Sequence, residues 1–161
     1  MALKRLQSEY KQLVVEPNYM FSIDVNHTNF FEWNISLFGT PDTYYEGGIF
    51  KCKLTFPKEY PNKPPIFQFN EPIYHPNFYK DGKVCISILH EGVDEFKYES
   101  ISERWMPSHS VSTILMSIAT LFTSPNLESP ANIDASLEWK NNWNSYKNKI
   151  YKLVALTQNN I

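Results

Sequence analysis

Cys85 stands eight residues beyond Asn77, which closes the run Tyr74-His75-Pro76-Asn77. Between them Lys80-Asp81-Gly82 has turn chemistry, so the chain is expected to fold the thiol back towards the carboxamide. A thiol and a carboxamide held on rigid irregular backbone suit acyl transfer. The thiolate attacks a carbonyl, and a neutral donor that does not titrate steadies the oxyanion. Each residue taken alone has a plainer reading. Cys52 lies on the apolar side of an alternating segment, where a free cysteine is a packed core residue. Cys85 by itself is as compatible with a structural thiol as with a reactive one. His75 before a proline is more often a structural hydrogen-bonder than a base, and Asn77 alone reads as a turn residue. No local Cys-His-Asn protease signature stands out. Residue types and spacing reach thiol chemistry and stop there.

The elements around this segment follow from periodicity. Leu3, Leu6, Tyr10, Leu13 and Val14 recur at helical spacing between Lys4, Arg5, Ser8 and Lys11, predicting an opening amphipathic helix that ends before Pro17. Phe31, Trp33, Ile35 and Leu37 alternate with Glu32, Asn34 and Ser36; Phe50, Cys52, Leu54 and Phe56 alternate with Lys51, Lys53 and Thr55. Both patterns predict half-buried strands, and a third short strand fits Ile66 to Phe69. Turns at Gly39-Thr40-Pro41-Asp42 and Gly47-Gly48 make these strands antiparallel neighbours. Six prolines from Pro57 to Pro76 leave the middle irregular. Val111, Ile114, Leu115, Ile118, Leu121 and Phe122 mark a helix with Ser110 as its cap. Asp134 is expected to cap a last helix with Trp139, Trp143, Tyr146, Ile150 and Leu153 on its apolar face. The order is that of an α+β fold in one domain, residues 1–161.

Composition narrows the class. At 161 residues with 42% hydrophobic and 16% aromatic content, the chain can bury a sizeable core. A net charge of −2 with scattered basic residues argues against nucleic acid or anionic lipid as partners. No stretch approaches the ~18 apolar residues of a membrane span. The opening residues lack a signal-peptide core, so a cytoplasmic or nuclear location is expected, with membrane association only through partners. Two cysteines without CxxC pairs argue against a zinc site, and in a reducing compartment against a disulfide.

Tyr60-Pro61-Asn62-Lys63-Pro64-Pro65, then His75-Pro76-Asn77, Cys85 and Trp105-Met106-Pro107 together resemble the signature series of the ubiquitin-conjugating enzymes. The likeness runs through the whole chain, from Leu3-Lys4-Arg5-Leu6 through Tyr45-Glu46-Gly47-Gly48-Ile49-Phe50. It implies an N-terminal helix, a four-stranded antiparallel meander, an irregular active-site segment and C-terminal helices. It also implies that Cys85 accepts ubiquitin from an activating enzyme as a thioester and passes it to a substrate lysine or a ligase thiol. No cofactor is expected, because ATP is used by the activating enzyme. Asn77 would steady the oxyanion or hold the active-site loop, and His75 and Pro76 would shape that loop. Glu128 is the candidate acid for orienting the incoming lysine, with Ser129 standing where many relatives have Asp.

Trp105 follows Cys85 by 20 residues (105 − 85), whereas short members of the family place it about eight residues on. The acidic insertion resembles the branch that builds degradative ubiquitin chains, and it places His90, Asp94 and Glu95 as candidates near the acceptor. By the same resemblance Lys4, Arg5, Pro61, Asn62, Pro107 and Ser108 would meet the activating enzyme and a RING-type or other ligase. Relatives often carry a large apolar residue where Asn62 stands. The rival readings are a conjugator of another ubiquitin-like modifier, a non-catalytic binding variant of the fold, and a plain scaffold with a buried thiol.

Overall fold

Alternation along the chain becomes one antiparallel sheet. The computed structural model describes residues 1–92 and 103–159. Their order is α1 (Ala2–Val15), β1 (Phe21–Val25), β2 (Glu32–Phe38), β3 (Ile49–Thr55), β4 (Ile66–Phe69), a short 3-10 helix (Ser87–Leu89), α2 (Val111–Thr123), α3 (Ile133–Asn141) and α4 (Trp143–Gln158). The strands form a meander in the order β1-β2-β3-β4. Periodicity found β2, β3 and β4. Strand β1 is only five residues long, and its place is set by pairing, with Phe21 opposite Leu37 and Val25 opposite Trp33.

Inner-face residues line up across the strands: Ile35, Cys52 and Phe69 share one row, and Trp33, Leu54 and Phe67 the next. All six are buried, and α2 adds Val111, Ile114, Leu115, Ile118 and Phe122 to the same core. Ser110 caps α2 as expected: its hydroxyl accepts from Thr113 N while the Thr113 hydroxyl accepts from Ser110 N.

Two helices differ from expectation. The buried stripe of α1 is Ala2, Leu6 and Glu9, while Leu3 and Val14 are exposed. A carboxylate in that stripe is tolerated because three donors converge on it. Glu9 accepts from Arg5 Nε (3.0 Å), from Val111 N at the start of α2 (2.8 Å) and from the Tyr60 hydroxyl. Burial first, and then this carboxylate, hold the Tyr60 phenol well above its ordinary range. The expected last helix is two helices broken at Asn142, whose backbone leaves the helical region and whose side chain caps α4 through Ser145 N. Asn132 rather than Asp134 caps α3, and Asp134 lies in its first turn.

Candidate active site

The segment from Tyr74 to Cys85 contains no regular element longer than a bridge, yet backbone hydrogen bonds join its two arms. Residues Phe78 and Val84 form an isolated antiparallel bridge, flanked by Tyr79 N to Lys83 O (2.8 Å) and Cys85 N to Asn77 O (2.9 Å). Phe78 and Val84 point into the core. Facing residues of an antiparallel pair share a side, so Asn77, Cys85, Tyr79 and Lys83 all project from the opposite side. The turn between the arms is the expected Lys80-Asp81-Gly82. Gly82 takes φ +93°, and a Cβ there would sit 2.3 Å from the carbonyl oxygen of Phe69, which pairs with this turn through its own N–H. Gly82→Ala is therefore expected to lower unfolding stability by about 2–3 kcal/mol, from left-handed strain plus displacement of β4. Urea titration of the two chains checks this.

The His-Pro-Asn triplet ties down one returning stretch of chain at three successive points. His75 Nε2 donates to the carbonyl of Leu121 near the end of α2 (2.7 Å), while its Nδ1 accepts from Asn77 N (2.9 Å). Pro76 O accepts from Ala131 N and Asn132 N (2.8 and 3.0 Å), at the entry to α3. The Asn77 carboxamide clasps Asn126 in both directions: Nδ2 donates to Asn126 O (2.7 Å), and Oδ1 accepts from Asn126 N (2.8 Å). Upstream, the Tyr45 hydroxyl, itself in contact with the Tyr146 hydroxyl, donates to the carbonyl of Tyr74 (2.7 Å).

His75 is fully buried and stacks on Phe78 (4.1 Å between centroids), and burial lowers its pKa from 6.5 to about 4 against the opposing bond to Leu121 O. It is a neutral structural imidazole. Below pH 6.5 the unfolded chain takes up a proton that the folded chain refuses until about pH 4. Stability is therefore present above pH 6.5 and declines as pH falls through that window, by about 3 kcal/mol from this group. The urea midpoint should follow this course, and His75→Gln should flatten it.

The two thiols are in different surroundings. Cys52 is buried in the middle of the sheet, its Sγ 3.6 Å from Ile35 O, and burial pushes its pKa far up. Cys85 is half-buried. The Tyr79 phenol interacts with the Cys85 thiol, and that interaction, ahead of burial, raises the pKa of the phenol. Sequence reasoning passed over Tyr79; its spacing of two residues from Asn77 along an extended arm is the signal that puts it on the same side.

Other candidate residues fall in three groups. Glu128 is exposed on the stretch that Asn77 clasps, its N–H bound to Asn126 Oδ1 (3.0 Å), with exposed Ser129 beside it. His90 follows the 3-10 helix, and its carbonyl accepts from Trp105 N (2.8 Å), so the insertion leaves and rejoins the fold at one place. Arg104 secures the same base by donating to Glu91 O (2.7 Å) and Gly92 O (2.9 Å). Asp94 and Glu95 lie outside the described residues. On the remaining surface Lys4, Asn62, Pro107 and Ser108 are exposed. Arg5 is committed inward, to Glu9, to His109 O (2.7 Å) and over the Tyr60 ring. Trp105 Nε1 donates to Pro61 O (2.8 Å), so α1 and the loops at residues 61 and 107 are joined from behind.

A half-buried thiol on a braced hairpin whose facing arm carries a carboxamide suits acyl transfer. The family model of the ubiquitin-conjugating enzymes matches residues 5–154. Among similar proteins, "Ubiquitin-conjugating enzyme E2 7" of Arabidopsis thaliana is 46% identical over 155 residues, covering 95% of this chain and 93% of the relative. "Ubiquitin-conjugating enzyme E2 G2" of Homo sapiens is 46% identical over 155 residues, covering 95% and 92%. "Ubiquitin-conjugating enzyme E2 15" of Schizosaccharomyces pombe is 44% identical over 151 residues, covering 92% and 90%. The chain belongs to the ubiquitin-conjugating enzyme family and is a transferase of the ubiquitin conjugation pathway. Among the described residues no helix is long and apolar enough to cross a membrane.

Proposed function

We propose that this chain receives ubiquitin from an activating enzyme as a thioester on Cys85 and, with a ligase, transfers it to lysines, building chains of the degradative type. The observation that carries this reading is the hairpin bond from Cys85 N to Asn77 O, which sets the half-buried thiol on the same side as the Asn77 clasp. A thioester is already activated, so positioning supplies much of the rate. Asn77 acts first by holding the stretch that bears Glu128, and its second amide hydrogen is left for the oxyanion. Tyr79 orients the sulfur. Glu128 and His90, with Asp94 and Glu95 on the insertion, orient and desolvate the incoming lysine. ATP is consumed by the activating enzyme and is not bound here. Lys4, Pro61, Asn62, Pro107 and Ser108 meet the activating enzyme and the ligase, with Arg5 bracing them from inside. The polar Asn62 supports a ligase contact that does not depend on a filled apolar groove. The working location is cytoplasmic or nuclear.

Incubation with activating enzyme, ATP and each modifier in turn, resolved on a non-reducing gel, tests this. A thiol-sensitive adduct with ubiquitin is expected; preferential loading with another modifier, or no adduct, overturns it. The acidic insertion supports the chain-building role. Because its ends meet at His90 and Trp105, deleting residues 93–102 should leave loading within about twofold and lower chain synthesis about tenfold, the loss of a positioning group. Normal chain synthesis by the deleted chain would remove this part of the reading.

A further inference from the structure

A surface groove begins beside the Cys85 thiol and runs away from it along α4. Tyr79 lines its near end, projects from the same side of the hairpin as Cys85, and interacts with the thiol through its phenol. The groove measures about 440 Å³ between the hairpin, the start of α3 and α4. Its floor is apolar, made by Ile73, Leu153 and Leu156 with Pro72 at the edge. Leu156 is 62% exposed, so this floor is open to solvent. Past Pro72, Ile73 and Leu153 it continues as a smaller cleft of about 90 Å³ bounded by Ile49 and Thr157. A groove prolonged in this way fits an extended stretch of chain rather than a compact small molecule.

The rim sets the charge of the occupant. Lys80, Lys149 and Lys152 line the groove against one carboxylate, that of Asp134. Lys149 is neutralised by Glu138 (2.9 Å), to which Tyr74 and Ser145 also donate. Asp134 lies in the first turn of α3, where the helix N-terminus offsets its charge. Asp81, next to Lys80, is engaged by its own turn, its Oδ1 accepting from Lys83 N (2.9 Å). Lys80 and Lys152 are exposed, and among the described residues no carboxylate pairs with either. A chain of net charge −2 thus presents unpaired ammonium groups over an apolar floor, beside its thiol.

We propose that this groove is an acceptor-selection site, taking an acidic and apolar segment of the acceptor protein next to the lysine to be modified. Apolar side chains of that segment cover Ile73, Leu153 and Leu156, and its carboxylates meet Lys80 and Lys152. This rests on Cys85 being the ubiquitin carrier. Docking raises the local concentration of the acceptor lysine at the thioester and takes no part in bond making. The lysine ammonium loses a proton to solvent and attacks the thioester carbonyl. The C–N bond forms, the C–S bond breaks, the Cys85 thiolate departs, and the second amine proton goes to water.

A short peptide with one lysine beside alternating leucine and glutamate is compared with two controls. One has glutamine for glutamate, the other serine for leucine. Binding to the unloaded full chain is read by fluorescence anisotropy, and transfer by single-turnover discharge of preloaded enzyme, with free lysine as reference. The leucine–glutamate peptide should half-saturate about tenfold below either control, the scale of two exposed charge pairs or one buried leucine. Lys80→Glu combined with Lys152→Glu should raise that concentration about tenfold or more. Its maximal rate, thioester formation and discharge to free lysine should stay within about twofold of the parent. The same variant should gain a leucine–arginine peptide that the parent discharges poorly, a swap that a merely structural role would not produce. The proposal is overturned if the three peptides discharge alike, if free lysine suffers an equal loss, or if the charge swap fails. It is also overturned if the serine–glutamate peptide binds as tightly as the leucine–glutamate one, which would mark a general anion site. Failure of the Cys85 reading looks different: no thioester forms, and this proposal falls with it even where peptide binds.

Discussion

Cys85→Ala should abolish the thiol-sensitive ubiquitin adduct, Cys85→Ser should replace it with an ester that survives reductant, and Cys52→Ala should load as the parent chain does. The contrast follows from where the two thiols sit. Cys52 faces Ile35 and Phe69 on the inner side of the sheet, and burial holds it protonated. A protonated thiol without access to a second protein is no nucleophile. Removing it costs packing alone, about 1 kcal/mol for a small core side chain. Cys85 sits on the open side of a hairpin whose inner side is anchored by Phe78 and Val84. A serine oxygen there meets the same activated carbonyl, but its ester resists thiol exchange. Loading that survived in Cys85→Ala and vanished in folded Cys52→Ala would invert the assignment.

Asn77→Ala should be the next most damaging change, lowering transfer from loaded enzyme about 100-fold, on the scale of a lost oxyanion donor. It should also lower stability by about 1–3 kcal/mol, because Asn126 N and Asn126 O lose their partners together. Single-turnover discharge of preloaded enzyme to free lysine measures the first effect, and thermal unfolding the second. The two must travel together if the clasp is what matters. Asn77→Asp keeps the acceptor for Asn126 N but sets an anion against the Asn126 carbonyl, so it should share the loss. An Asn77→Ala chain as stable as the parent yet slow in transfer would assign the side chain to the oxyanion alone.

Much of the fold was legible from hydrophobic period. The alternation through Trp33 and Leu54 set which side of β2 and β3 is buried, and the Val111 to Phe122 stripe together with Ser110 located α2 and its start. These are local signals, because a strand or helix face is written in residues two, three or four apart. The misses arose where distant groups overrode local preference. Glu9 falls outside the apolar stripe that the spacing predicts, and it is buried where Tyr60, Arg5 and Val111 N meet it. The break at Asn142 lies inside a continuous helical period, and only its backbone angles and the cap of Ser145 N reveal it.

The pair Asn77 and Cys85 was visible in the sequence as residue types, spacing and a turn between them. Those features alone determined that a thiol and a carboxamide would be brought close, because a Lys-Asp-Gly turn reverses the chain whatever lies around it. What the thiol faces was decided by tertiary structure. The hairpin has an inside and an outside only because the core takes Phe78 and Val84. His75, Pro76 and Asn77 do their binding with Leu121, Asn126, Ala131 and Asn132, residues 46 to 56 positions away, for which no local pattern holds a record. Hydrogen bonds across such separations follow from how the helices pack on the sheet, and that packing is a property of the whole chain.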